Sequence, residues 1–281
     1  MFIIADSGST KCDWTTVLPD GSYTTINTMG FNPFYHDADF IESELRKDLL
    51  PKIPVHQIEK VIYYGAGIHD EARAAVVETA LKKIFATQTD IVVEHDLLAA
   101  ARATCGDSPG IVGIIGTGSN TCLYDGTKVV ENIPNLGFLV GDEGSGTHLG
   151  KKLIQAYFYG ELPEEILKDF EMQYPDGMTA IKNTIYGRSG NVYLASFTRF
   201  LAAHKANYLV QKMVAQSFDE LINRHLRKYV GHNELPIHFV GSVAHYFQDI
   251  LRICLIEKGM KLGKVIQKPI DSLVDYHIKM N

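Results

Sequence analysis

Cysteine is scarce. The four present, Cys12, Cys105, Cys122 and Cys254, include no C-x-x-C pair. That excludes a dithiol redox motif, a zinc ribbon and a disulfide-built scaffold. Histidine is not scarce, but no H-E-x-x-H occurs, and His232, His238 and His245 fall on different expected elements. A histidine-held metal is therefore not indicated. There is no G-x-S-x-G elbow, which removes the commonest serine hydrolase architecture. No apolar run approaches the roughly 20 residues of a membrane span. The opening MFIIADSGST is too short and too acidic for a signal peptide. Basic residues are in deficit, 27 Lys and Arg against 33 Asp and Glu, for a net charge of −6. The chain lacks the electrostatic footprint of non-specific nucleic-acid binding. These absences lead to the expectation of a soluble, cytoplasmic protein that uses neither membrane nor nucleic acid.

What is present is globular. Hydrophobic residues make up 46 % and charged residues 21 % of 281 positions, enough for more than one core. Phe2–Ala5 reads as a buried strand, followed by the small polar turn Asp6-Ser7-Gly8-Ser9-Thr10 and a second strand over Lys11–Leu18. Pro19-Asp20-Gly21-Ser22 is a turn, and Tyr23–Thr28 a third strand. Helical spacing over His36–Leu50 and Glu71–Phe85 alternates with strands at Lys60–Tyr64 and Ile91–Val93, and Asp96–Thr104 opens a further helix. The order is βββαβαβα. It then begins again: strand Ile111–Ile115, turn Gly116-Thr117-Gly118-Ser119, strand Asn120–Tyr124, hairpin turn Asp125-Gly126, strand Val129–Asn132. A shift of 110 residues superposes Ile4 on Ile114, Gly8 on Gly118, Ser9 on Ser119 and Cys12 on Cys122. The expectation is a duplicated α/β domain, residues 1–107 and 108–281, the second carrying a helical insertion over about 145–230. Strand Ile237–Val240, helix Val243–Ile256, strand Lys264–Gln267 and a final helix from Pro269 complete it, and that helix could pack back on the first domain.

Five segments carry residues suited to chemistry. In IIADSGSTKCDW a carboxylate ends a strand, and a tight turn and a lysine follow. Backbone N–H groups and hydroxyls of such a turn can grip phosphate, and Asp6 could hold Mg²⁺ through water; a plain hairpin turn needing Gly8 would look the same. IIGTGSNT is a second turn of that kind, its glycines allowing close backbone approach. In VVEHDLLAAARA, Asp96 is either a helix cap or a general base for a hydroxyl. GFLVGDEGSGTHLGKK puts Asp142 and Glu143 before a helix, to serve its dipole or to bind vicinal hydroxyls. Its Gly-Lys-Lys tail fails as a P-loop in spacing and lacks the Ser or Thr. IHFVGSVAHYF runs a strand through Gly241-Ser242 into a helix, an ordinary turn or a place for a nucleoside.

Taken together, DSGSTK, the His95-Asp96 pair, GTGSN, GDEGS and the Gly241-Ser242-Val243 turn, in this order, resemble the N-acetylglucosamine kinases of the BadF-type ATPase family, in the actin / sugar kinase / Hsp70 superfamily. The resemblance covers nearly the whole chain. It implies two ribonuclease-H-like domains with ATP in the cleft between them. It implies Asp6 as the Mg²⁺ residue, Ser9, Thr10 and Lys11 on one side of the phosphates, and Gly116, Thr117, Gly118 and Ser119 on the other. Asp96 is then the base for the sugar 6-hydroxyl, Asp142 and Asn32 contact the sugar, Gly65, Ala66 and Gly67 line its side, and Gly241 and Ser242 lie by the adenosine. The family also implies a homodimer. It includes ATPases that activate reductases through paired cluster cysteines; Cys105 and Cys122 form no such motif. The expected activity is ATP-dependent phosphorylation of an amino sugar: N-acetylglucosamine, glucosamine or N-acetylmuramic acid. An ATPase that drives a protein partner, and a sugar-binding module without catalysis, are the alternatives.

Overall fold

The computed structural model describes residues 1–8, 10–187 and 189–280. They form two compact units, one of residues 1–106 with 269–280, the other Asp107–Lys268.

The first unit opens with β1 (Phe2–Ser7), β2 (Lys11–Val17) and β3 (Tyr23–Met29), then α1 (Ala38–Asp48), β4 (Lys60–Gly65), α2 (Glu71–Lys82), β5 (Asp90–His95) and α3 (Asp96–Cys105). The sheet order is β3-β2-β1-β4-β5. β1 pairs antiparallel with β2 and parallel with β4, and β4 pairs parallel with β5. Central β4, KVIYYG, is apolar almost throughout because both its faces are covered. Edge strand β3 is Thr-rich and largely exposed, the usual protection of an unpaired edge. One face of the sheet (Ile3, Ala5, Trp14, Val61, Tyr63) packs on Ile41 and Leu45 of α1 and Val77 and Leu81 of α2. Trp14, the only tryptophan, is fully buried, and its indole N–H donates to Thr28 Oγ1 at 3.0 Å.

The second unit repeats the plan. β6 (Gly110–Ile115), β7 (Ser119–Tyr124) and β8 (Val129–Glu131) are followed by seven helices: α4 (Gly137–Val140), α5 (Gly146–Phe158), α6 (Glu164–Gln173), α7 (Gly177–Ile185), α8 (Gly190–Ser196), α9 (Thr198–Ala203) and α10 (Tyr208–Arg224). Then come β9 (Pro236–Val240), α11 (Ser242–Tyr246), α12 (Gln248–Glu257) and β10 (Lys261–Ile266). The sheet order is β10-β9-β6-β7-β8, with β6 antiparallel to β7 and parallel to β9. Read from the other edge, this is the order of the first sheet, so β6 is the counterpart of β1 and β7 of β2. The 110-residue shift of the sequence thus superposes structurally equivalent strands. Gly113 on β6 is needed for packing: a Cβ there would stand 2.8 Å from the ring of buried Phe239.

One difference from the sequence expectations has a local cause. The helix expected over Val243–Ile256 is two, α11 and α12, separated at Phe247, whose ψ of 22° departs from helical geometry while its ring stays buried. The final helix, α13 (Ile270–Met280), packs against α3, β1 and β2 of the first unit. Ile270, Leu273 and Val274 are buried, and a polar contact joins them. Tyr64 hydroxyl accepts from Arg102 Nη1 at 2.7 Å and meets His277 Nε2 at 2.8 Å. Burial pushes the His277 pKa down to about 4, so the ring is neutral.

Candidate active site

In the first unit the parallel strands end in register: Ser7 lies beside Gly65, and Gly65 beside His95. The turns that leave them therefore share the carboxyl edge of the sheet, where open α/β sheets bind ligands. These turns hold most of the first-unit residues singled out in the sequence. Gly8 N–H donates to Lys11 O at 3.0 Å and closes the first turn. Gly30 lies against it: a Cβ there would fall 1.9 Å from Gly8 O and 2.6 Å from Lys11 N. Phe31 N–H donates to Ser7 Oγ at 3.1 Å, and Ala66 N–H to Ser7 O at 2.8 Å. Gly67, at φ +80°, faces Asn32, whose Oδ1 would be 2.3 Å from a Cβ at that position. Asn32, Ala66 and Gly67 are thus brought together with Ser7. Thr10 is exposed. Ser9 lies outside the described residues.

Asp6 on β1 stands opposite Asp13 on β2, so the two side chains leave the same face of the sheet. Asp13, which the sequence motifs did not single out, is buried, accepts from Asn27 Nδ2 at 2.6 Å and pairs with Lys11 Nζ at 3.2 Å. Two hard carboxylates beside a phosphate-type turn match what Mg²⁺ takes from a protein when waters and phosphates complete its shell. No group of three or more His, Cys, Asp or Glu residues forms a self-sufficient metal cage among the described residues.

Asp96 is half-buried at the first position of α3. It is not the cap: His95 is, its Nδ1 accepting from Leu98 N–H at 3.1 Å. Burial pushes the Asp96 carboxyl up to about 6, against the opposing pull of N–H groups at the helix start. The capping alternative for this aspartate is thus taken up by its neighbour.

In the second unit the turn after β6 is locked from behind. Gly116 N–H donates to Gly118 O at 3.0 Å, and the carbonyls of Gly116 and Thr117 accept from Gly146 N–H (2.9 Å) and Thr147 N–H (3.0 Å) at the start of α5. Asp142 is buried at φ 59°, the only described non-glycine residue with positive φ. Its Oδ1 accepts from Ser119 N–H at 3.2 Å and Asn135 Nδ2 at 2.8 Å, and its Oδ2 from Thr147 Oγ1 at 3.4 Å. Burial raises its pKa, with the Ser119 hydrogen bond opposing. The residue assigned by resemblance to the sugar is thus also a brace for the turn assigned to phosphate. Asp142→Ala strands the buried Ser119 N–H and is expected to cost about 1–3 kcal/mol of stability, checked by denaturant unfolding.

Gly241, at φ +124°, lies against the end of β6, where a Cβ would be 2.3 Å from Ile115 O and 3.2 Å from Gly116 N. The strand-to-helix turn and the Gly116–Ser119 turn are therefore neighbours. After Gly241 a cavity of about 470 Å³ is lined by Ser242 and Val243 together with Thr198, Arg199, Tyr246 and Gln267. Gly116 faces open space, with nothing within 4 Å of a Cβ. Arg199 and Thr198 come from the insertion, whose helices the sequence showed but whose packing it did not; Asn135 gave no signal outside its contact with Asp142. His148 meets Ser217 Oγ at 2.7 Å and Glu220 at 3.5 Å, the makings of a hydrolytic triad. Ser217 is fully buried in α10, so no substrate reaches it.

No family model matches the sequence, and no curated protein matches it. Solved structures do. A candidate N-acetylglucosamine kinase from Porphyromonas gingivalis is 38 % identical, with a TM-score of 0.95 over 99 % of each chain. A candidate N-acetylglucosamine kinase from Chromobacterium violaceum shares the fold at 16 % identity and a TM-score of 0.74, over 98 % of this chain and 99 % of that one. A ROK family glucokinase from Streptomyces griseus, solved with glucose and AMPPNP, shares it at 15 % identity and a TM-score of 0.58, over 98 % and 97 %. Identity of that extent with the P. gingivalis protein goes beyond a common fold: the chain belongs to the N-acetylglucosamine kinase-like family of sugar kinases, in the actin / sugar kinase / Hsp70 superfamily.

Proposed function

We propose that the chain transfers the terminal phosphoryl group of ATP, with Mg²⁺, to the 6-hydroxyl of an amino sugar, N-acetylglucosamine before glucosamine or N-acetylmuramic acid. The observation that carries this is Asp96. A carboxylate with a pKa of about 6, next in the chain to a strand end in register with Gly65, can take a proton near neutral pH. Asn32, Ala66 and Gly67, at the same edge, are assigned to the sugar, as is Asp142 in the second unit.

Magnesium–ATP supplies the electrophilic phosphorus and a stable leaving group. Asp6 and Asp13 would hold the metal, largely through water. Lys11 and the N–H groups of Thr117 and Gly118 would offset charge on the phosphates, and the cavity by Ser242, Arg199 and Tyr246 suits a nucleoside. Asp96 accepts the proton of the sugar hydroxyl as its oxygen bonds to phosphorus. Phosphoryl transfer asks a protein chiefly for positioning and charge stabilisation, which these groups can provide. Among the described residues no helix is long and apolar enough to cross a membrane.

ADP release measured over a panel of N-acetylglucosamine, glucosamine, N-acetylmuramic acid and glucose tests the reading. The expected result is ADP production that depends on an amino sugar, with phosphate found on O6. ADP release at full rate without any sugar would overturn it in favour of an ATPase acting on a protein partner. No ADP with any sugar would leave only a binding module.

A further inference from the structure

Between α4, α5 and α7 the second unit holds a cavity of about 310 Å³, a size that accommodates a small ligand. Phe138, Leu139, Phe158 and Tyr186 line it with other apolar side chains, and two lysines join them, Lys151 and Lys182. None of the lining residues carries a carboxylate. Lys151, from the Gly-Lys-Lys tail that fails as a P-loop, donates one N–H to Phe138 O at 2.6 Å. An ammonium can make three such bonds. Burial lowers its pKa, and an anion placed beside it would favour the charged form. Its neighbour Lys152 is used differently, pairing with Glu220 at 2.8 Å. Lys182 is exposed, with its ammonium 5.1 Å from the centre of the Phe158 ring. Leu139 is 76 % exposed and Tyr186 89 %, so apolar surface stands open to water at the mouth. An apolar pocket carrying two cations and no acid suits a ligand with an apolar body and one negative charge.

We propose that this cavity binds a carboxylate borne on a short apolar stem, with Lys182 as the cation that selects for its charge. The carboxylate can be that of a free acid or a substituent on the acceptor sugar; the chemistry at the cavity is the same. Lys151 connects the cavity to the loop carrying Asp142, because it holds the Phe138 carbonyl and feels the Asp142 charge. Occupancy therefore bears on the segment between Asn135 and Asp142.

Methyl NMR titration without nucleotide tests this, and its outcome does not depend on turnover. The probes are phenylacetate, its uncharged amide phenylacetamide, N-acetylmuramic acid and N-acetylglucosamine. Saturable shifts of the Ile154 and Ile185 methyls are expected with at least one of the two carboxylates. The neutral counterpart should bind at least about tenfold more weakly, the usual worth of a charge-assisted hydrogen bond. Lys182→Ala should weaken the carboxylate about tenfold and leave its neutral counterpart within twofold; the site is exposed, so the fold is not at risk. Shifts with phenylacetate assign the site to free acids. Shifts with N-acetylmuramic acid alone assign it to a substituent of the sugar. Equal binding of charged and neutral probes, binding that survives Lys182→Ala unchanged, or no shift with either carboxylate would overturn the proposal. If sugar-dependent ADP release persists in that event, the kinase reading stands without this site.

Discussion

Replacing Asp96 with asparagine should lower the turnover of sugar phosphorylation by about 10²–10⁴, the range a general base commonly contributes, while ATP binding is retained. The amide cannot accept the proton but keeps the size and the hydrogen bonds to the start of α3. The native pH profile should carry the mark of the same group. A base works when ionised, so kcat/KM should rise with pH through about 6 and then level off. Stability should move the opposite way. The folded Asp96 holds its proton up to about 6, whereas in the unfolded chain it loses it near pH 3.9. Between those values the native state binds more protons than the unfolded state, so this group's contribution to stability falls as pH rises. Above pH 6 wild type carries a half-buried charge that Asp96→Asn lacks, and the variant should be more stable by about 1–3 kcal/mol. Below about pH 4 the difference should vanish. A variant that is slow and no more stable at pH 8 would mean that Asp96 is not held in a destabilised state, and turnover near wild type would remove it from the mechanism. A residue that costs stability and supports activity is the signature of a functional site.

The duplicated fold was legible because it rests on patterns of short range. Strand–turn–strand order and the turns at Gly8 and Gly118 recur at a fixed offset, and the two sheet orders follow them. Candidate residues could be proposed where one segment carries a turn of its own, as at Gly116–Ser119, whereas the segment around Asp96 left cap and base open until the fold showed His95 as the cap. The site was not legible where function is shared between distant segments. Asp13 looks like any polar residue of a strand until β1 is placed beside it. Asn135 has no meaning until Asp142 folds back to meet it. Tyr64, Arg102 and His277 are far apart in sequence, so nothing announced the polar contact that joins α13 to α3 and β4. The helical character of residues 145–230 was readable from composition, but not that α9 would bring Arg199 to the cavity beside Ser242.

Two glycines at the proposed phosphate turns should fail on substitution for different reasons, and the contrast tests the assignment. Gly30→Ala would drive a methyl into backbone, 1.9 Å from Gly8 O and 2.6 Å from Lys11 N. Neither atom belongs to a flexible side chain, so the turn itself must shift. Overpacking of this kind costs about 1–3 kcal/mol, and a displacement near 1 Å at a catalytic centre can lower the rate about 10²-fold. Gly30→Ala should therefore lose both stability and kcat/KM for ATP. Gly116→Ala is the opposite case. Nothing in the protein lies within 4 Å of the added methyl, and the residue is not in the left-handed region. Its stability should be unchanged or higher by about 0.4–1 kcal/mol, since alanine restricts the unfolded chain. If phosphate approaches that backbone closely, the methyl occupies the space it needs, and kcat/KM for ATP should still fall at least about tenfold, a loss of roughly 1.4 kcal/mol in binding. Thermal unfolding and ATP kinetics on both variants separate the two causes. A Gly116→Ala protein with undiminished ATP kinetics would show that the open side of this turn does not face the nucleotide, and the role of Gly116–Ser119 would then reduce to its bonds with α5 and Asp142.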